Sequence, residues 1–440
     1  MMRSSALLLA AALSLLSTAG RADENTVGNC HIGAYRLSDG SIVDINASAK
    51  DTLRWRRLDG TTGALHPHPD QPWVSTAGWS AHEDGTEVSF PDCDKIAFNG
   101  KEGQRIPFDI ADIRFKAKGV TLAGRLVLPK GSGPVPIVVL IHGSERYSGR
   151  DFYSLQRLLP AEGIGVFVYD KRGTGQSEGQ YTQDFSLLAD DAVAALTEAR
   201  RLAGARAGRT GFQGSSQGGW IAPLAATRTA ADFVVVAYGL AVSPIEEDQE
   251  EVALEMAFKG HSPAEIAKAE EVAAAAATIM TSHFTQGFDR FDSVRARYRN
   301  EPWYKDLHGN FTVELLPFDK AQLLAHKSEF LMGTPMRYDS MPVLRRVTTP
   351  QLWILGRDDL AAPSAETSRR ILSLAAHGQP ITLAVFPNAE HGIYEYELDA
   401  AGERVDLRNA EGYYAMMRDY MRDGKLTGTY GDSTVIAPQH

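Results

Sequence analysis

RTGFQGSSQGGWIAPLAA, residues 209–226, reads as a buried strand running without a loop into a helix. At the junction stands Gly214-Ser215-Ser216-Gln217-Gly218, of the form G-x-S-x-G. A serine held on so sharp a bend needs glycine two residues before and two after it, because Cβ atoms there would collide. A helix that starts at the serine aims its first N–H groups and the positive end of its dipole at any anion formed beside Ser216. Only Ser216 has glycine at both offsets in this stretch, which makes Ser215 a bystander.

The neighbouring sequence supplies a sheet for that turn. PIVVLIHG (136–143), GVFVYD (165–170), FVVVAYG (233–239), PQLWILG (350–356) and ITLAVFP (381–387) are continuous apolar runs of the kind found in central parallel strands. Helical stretches near 151–162, 185–203, 216 onward, 364–376 and 408–422 alternate with them. Ahead of these, Ile113, Phe115, Leu122, Leu126 and Leu128 read as two strands joined by a turn at Gly119. The alternation argues for a doubly wound α/β sheet. It is broken between 245 and 340, a helical segment that contains EEVAAAAATIM (270–280) and the aromatics Phe284, Phe288, Phe291, Tyr298, Trp303 and Tyr304. That insertion is expected to form a cap, and its aromatics either line an acyl pocket or fill the cap's own core.

The pentapeptide alone is a weak signal, because Gly175-Gln176-Ser177-Glu178-Gly179 has the same form. Ser177 follows the glycine-rich turn Asp170-Lys171-Arg172-Gly173 and precedes no helix, so it reads as part of a structural loop. Three further elements complete a hydrolytic constellation around Ser216. Asp359, in Gly356-Arg357-Asp358-Asp359-Leu360-Ala361-Ala362-Pro363, is the candidate acid, with Asp358 as its competitor. His391, in Asn388-Ala389-Glu390-His391-Gly392, is the candidate base, placed in a loop at a strand's end. The order Ser, Asp, His suits a sheet of this winding. A carboxylate is needed because the histidine becomes positive as it takes the serine's proton, and must keep one tautomer. Ile141-His142-Gly143-Ser144 follows a central strand, and the backbone N–H groups of Ser144 and Gln217 are the expected oxyanion donors. His142 reads as a structural histidine bracing that loop.

The segments IHGSE, YDKRGTGQSEG, GFQGSSQGGWIAPLAA, ILGRDDLAAP and PNAEHG occur in order between about 106 and 422. Over that span the chain resembles the α/β-hydrolase superfamily, in particular bacterial carboxylesterases and the dienelactone hydrolase and prolyl oligopeptidase-like families. The resemblance implies a Ser216–His391–Asp359 triad, an acyl-enzyme intermediate, and no metal or organic cofactor. One departure is Ser215, where relatives often carry His; it should alter packing rather than chemistry. The expected substrate is a small-molecule carboxylic ester. A prolyl oligopeptidase-like peptidase is the nearest rival, although roughly 80 residues ahead of the core are too few for a β-propeller. A non-catalytic ligand-binding protein on the same fold is the more distant one.

The rest of the chain bounds these readings. It has 440 residues and a formal net charge of −10, with no long Lys/Arg run, which argues against a nucleic-acid partner. Residues 1–22, with Arg3 and the apolar run 6–16, read as a secretory signal peptide too short to span a bilayer. A secreted or periplasmic protein is expected; without that segment the charge is −12. Residues 23–105 read as a small all-β accessory domain, with turns at Asp39-Gly40, Asp59-Gly60 and Asp84-Gly85. His66 and His68, in the Pro-rich HPHPD, read as solvated. The cysteines, Cys30 and Cys93, either pair in an oxidising compartment or stand as separate buried thiols. The core is thus divided into 106–244 and 341–425 around the 245–340 insertion, with 426–440 as a loose tail.

Overall fold

A computed structural model describes residues 29–48, 52–68 and 72–438. The expected signal segment, 1–22, lies outside the described residues. Among those described, no helix is long and apolar enough to cross a membrane.

The central sheet has nine strands. From one edge to the other they are Thr434–Ile436, Ile381–Phe386, Gln351–Gly356, Phe233–Ala237, Ala207–Ser215, Val135–Ile141, Gly165–Tyr169, Val120–Pro129 and Phe108–Ala117. The strands from Ile381–Phe386 to Gly165–Tyr169 are mutually parallel, and the flanking ones run antiparallel. This is the α/β-hydrolase fold. Covering both faces is what makes the strands apolar throughout. Ile137, Val139 and Ile141 pack on one face with the helices Phe185–Ala203, Gly218–Ala226 and Ser364–Ala376, while Val138 and Leu140 pack on the other with Leu155–Ala161 and Tyr413–Asp423. The crossovers change direction at Val135–Ile141, which lies between one strand that follows it and another that follows later. The carboxyl ends of Val135–Ile141 and Ala207–Ser215 therefore border the crevice where such sheets bind ligands.

Ahead of this sheet, eight antiparallel strands, from Gly33–Leu37 to Lys101–Arg105, form a separate closed barrel, each paired with the next and the last with the first. Alternation puts Tyr35, Val43, Ile45, Leu53, Trp55 and Phe98 in its interior. Arg54 and Arg56 then point outward. The barrel is keyed to the core through Arg157, whose Nη2 donates to Asn46 Oδ1 at 2.7 Å and which pairs with the buried Asp44 carboxylate. Cys30 and Cys93 form a disulfide across 63 residues of this domain. His66 and His68 are exposed.

The insertion is helical. Pro244–Phe258 and Pro263–Thr281 each start with a capping box (Ser243 with Glu246, Ser262 with Glu265) and a proline in the first turn, and Phe288–Tyr298 follows. Phe284, Phe288, Phe291, Tyr298 and Trp303 are buried together with Val272, Ala276 and Met280. These aromatics thus build the cap's own core.

Two features depart from the sequence reading. Residues 434–436 of the expected tail form a strand on the edge of the sheet, opposite Leu383–Val385. The first stretch of the expected 408–422 helix belongs instead to a three-stranded sheet made of Ala389–Glu390, Tyr394–Leu398 and Arg404–Asn409. The alternation of Tyr394 and Tyr396 with acidic residues suits such a half-covered hairpin.

The disulfide yields a thermodynamic expectation. Closing a loop of that length stabilises by about 4 kcal/mol in the chain-entropy model. Thiol titration of the unfolded, unreduced protein should find no free thiol. Chemical denaturation of Cys30→Ser/Cys93→Ser should show a barrel transition lowered by about that amount.

Candidate active site

Ser216 has φ +50°, a left-handed conformation that a side-chain-bearing residue adopts only under constraint. Backbone contacts supply it. Ser216 N donates to Ala237 O on the adjacent strand (3.0 Å), and Gly219 N donates to Ser216 O (2.7 Å). The glycines two residues away are required in the way the sequence implies. A Cβ on Gly214 would stand 2.1 Å from Gly218 O, and one on Gly218 would stand 2.6 Å from Ile141 O. Ser215 accepts a hydrogen bond from Gln213 Nε2 (2.8 Å).

His391 Nε2 lies 3.2 Å from Ser216 Oγ, and its Nδ1 lies 3.0 Å from Asp359 Oδ2. Asp359 is buried, and its Oδ1 accepts from Ala362 N at 2.7 Å. The structure therefore brings Ser216, His391 and Asp359 into one hydrogen-bonded line. Asp358 is outside it. Its carboxylate takes the Tyr396 hydroxyl (3.2 Å) and the Arg357 guanidinium (3.3 Å). Ser177 is a structural residue that donates to Asp170 O (2.6 Å) and accepts from Ala123 N (2.9 Å).

The loop after Val135–Ile141 closes the other side. A Cβ on Gly143 would stand 3.3 Å from Ser216 Cβ, so this turn lies against the nucleophile. Among the described residues, the N–H groups of Ser144 and Gln217 donate no backbone hydrogen bond. Gln217 caps the helix Gly218–Ala226, whose dipole adds to the attraction for an anion. His142 is buried against the Tyr169 carbonyl, which its Nε2 contacts. Burial lowers its pKa and keeps it neutral, as befits a brace. The buried Lys171 donates to Gly143 O at 2.6 Å, fixing the carbonyl on the far side of the loop. Burial brings that ammonium down to about 8.

Electrostatics tune the histidine. Burial alone would lower the His391 pKa. The Asp359 carboxylate, by charge and by hydrogen bond, outweighs that, and Glu390 and Glu251 add to it, so the net shift is upward from 6.5. Three groups escaped the sequence reading: Glu390, Arg404 and Tyr238. Glu390 Oε1 accepts from both His391 N (3.0 Å) and Leu360 N (2.8 Å), joining the histidine and acid loops. Arg404 pairs with the other Glu390 oxygen and donates to Asp358 O. Tyr238 sets its ring 4.9 Å from that of His391. Glu390 was readable from its place beside His391, whereas Arg404 and Tyr238 carry no local signal.

Residues 132–314 match the family described as serine aminopeptidase, S33. Esterase FrsA of Enterobacter sp. (strain 638) is 35% identical over 96 residues, which are 21% of this chain and 23% of that protein. The chain thus spans less than a quarter of the length of the curated relatives it matches. Among solved structures, an esterase of Pyrococcus furiosus is similar with a TM-score of 0.40 at 16% identity, over 64% of this chain and 84% of that one. The acylaminoacyl peptidase of Pyrococcus horikoshii gives a TM-score of 0.41 at 13% identity, over 86% of this chain and 55% of that one.

The geometry separates the two adjacent aspartates. Asp359→Asn should lower kcat by about four orders of magnitude, by leaving the histidine in the wrong tautomer. Asp358→Asn should stay within about threefold, as expected of a group outside the hydrogen-bonded line. The pH dependence has a definite sign. If His391 acts as the base it must be neutral, and its folded pKa is raised, so activity should be full at alkaline pH and lost as pH falls. The acid limb of kcat/KM should have its midpoint above 6.5.

Proposed function

Taking the chain as a serine hydrolase of the α/β-hydrolase superfamily, we propose that it cleaves carboxylic esters of small molecules. The observation that carries this reading is the unbroken contact from Asp359 through His391 to Ser216 Oγ. Ser216 Oγ attacks the ester carbonyl as His391 Nε2 takes its proton. The carbonyl oxygen, now an alkoxide, is held by the N–H groups of Ser144 and Gln217. The tetrahedral adduct collapses, the C–O bond to the leaving group breaks, and His391 returns the proton to the departing alcohol. Water then gives a proton to His391 and attacks the Ser216 ester; that adduct collapses as the bond from carbon to Ser216 Oγ breaks and His391 returns the proton to Oγ, releasing the carboxylic acid and free serine. Each step uses side chains and backbone of this chain alone. Export to an oxidising compartment belongs to the same proposal, and the Cys30–Cys93 disulfide supports it.

The S33 family match favours peptidase activity as a second reading.

The two readings separate in one assay. Hydrolysis of p-nitrophenyl esters from acetate to laurate, beside a panel of aminoacyl p-nitroanilides, should favour short acyl esters. Ser216→Ala should lose at least about a thousandfold in kcat. Turnover of the anilides with silence on the esters would select the peptidase. Silence on both would remove the ester proposal.

A further inference from the structure

The segment that carries His391 is the connection of a hairpin. Ala389 pairs with Glu395 and Glu390 with Tyr394, which leaves His391, Gly392 and Ile393 as the turn. Gly392 and Ile393 have φ +83° and +59°. A β-branched residue in that region persists only where its surroundings over-determine it. Those surroundings come from the end of the third strand, Arg404–Asn409. Asn409 Nδ2 donates to Gly392 O (2.9 Å), and Ala410 N donates to Ile393 O (2.9 Å).

That strand is fastened in turn by the N-terminal barrel. Asn409 N donates to Gly60 O at 2.9 Å, Trp79 N donates to Asp406 O at 2.8 Å, and Arg408 donates to Asp59 O. The approach is as close as backbone permits. A Cβ on Gly60 would stand 2.0 Å from Asn409 O, and one on Gly78 would stand 2.3 Å from Leu407 O. The Trp79 ring packs edgewise on Tyr394 with centroids 4.6 Å apart, and the Arg54 guanidinium covers Trp79 at 4.0 Å. Tyr394 is three residues from His391.

We propose that the barrel is a positioning element for His391, acting through its turns at Asp59-Gly60 and Gly78-Trp79, which hold the hairpin strand 404–409 and so the strained turn 391–393. Trp79 is the chief positioning residue. The inference rests on the reading of His391 as the base of Ser216. It gives the barrel a part in catalysis without any ligand of its own. It also explains why glycines in two surface turns are packed where any side chain would collide.

The test uses the full chain carrying Trp79→Ala, Trp79→Phe or Arg408→Ala. In Trp79→Ala, kcat for a short p-nitrophenyl ester should fall about 10- to 100-fold with KM within about twofold, the size of effect that a small misplacement of a catalytic group produces. The His391 titration, followed by NMR without substrate, should move down toward 6.5, because the ring stands farther from Asp359. Trp79→Phe should recover most of both. Arg408→Ala removes one tie without altering the barrel's interior, and should shift both readouts the same way by less. A lowered melting temperature with kcat and the His391 titration unchanged in the alanine variants would overturn the proposal and leave the contacts as domain packing. Because the titration needs no substrate, it decides this inference even where the wild type hydrolyses no ester, a result that would count against the functional reading alone.

Discussion

A left-handed serine at the end of a central strand is the constraint on which the rest of this molecule depends. A residue with a side chain in that conformation costs about 1–3 kcal/mol, which its surroundings must offset. Here the offset comes from the interior of the sheet. Ser216 is tied by its N–H to Ala237 and by its carbonyl to Gly219. Glycines at 214, 218 and 219 let the helix that follows pass within backbone contact of Ile141 and Gly239. Such closeness is possible only where parallel strands are covered on both faces, and the apolar runs of the sequence ensure that. The strain is therefore linked to the long-range order of the sheet, and the nucleophile cannot be posed without the whole core.

The second organising principle is charge. His391 lies in a region of negative potential made by Asp359, Glu390 and Glu251, against which burial alone acts in the opposite sense. The helix Gly218–Ala226 starts directly after Ser216 and Gln217, so the positive end of its dipole lies beside the serine. Negative charge near the base and positive charge near the oxyanion is the separation an acyl-transfer transition state requires. Because these groups are held by backbone hydrogen bonds and buried pairs, they need little reorganisation as charge moves.

Much of this was legible in the sequence. The runs 136–143, 165–170, 233–239, 350–356 and 381–387 became central strands, since a continuous apolar run in a β-α rhythm has few other solutions. The distinction of Ser216 from Ser177 was legible because it depends on what directly precedes and follows each serine. Other features depend on contacts between distant segments and leave no local trace. Gly60 and Gly78 look like ordinary turn glycines and are in fact the points where the barrel meets the hairpin 394–409. The cap aromatics look equally suited in the sequence to a pocket or a core, and burial among residues of Pro263–Thr281 makes them core. The strand Thr434–Ile436 is three residues long, too short for periodicity to mark it.

The central claim is that Ser216 is a nucleophile activated by His391, and covalent labelling tests it most directly. The protein would be treated with a fluorophosphonate, digested, and the modified residue located by mass spectrometry, with His391→Ala in parallel. Stoichiometric modification on Ser216, slowed by at least about a hundredfold in the His391 variant, is the result this account predicts. Modification on Ser177 or Ser215, or equal labelling of both proteins, would contradict it.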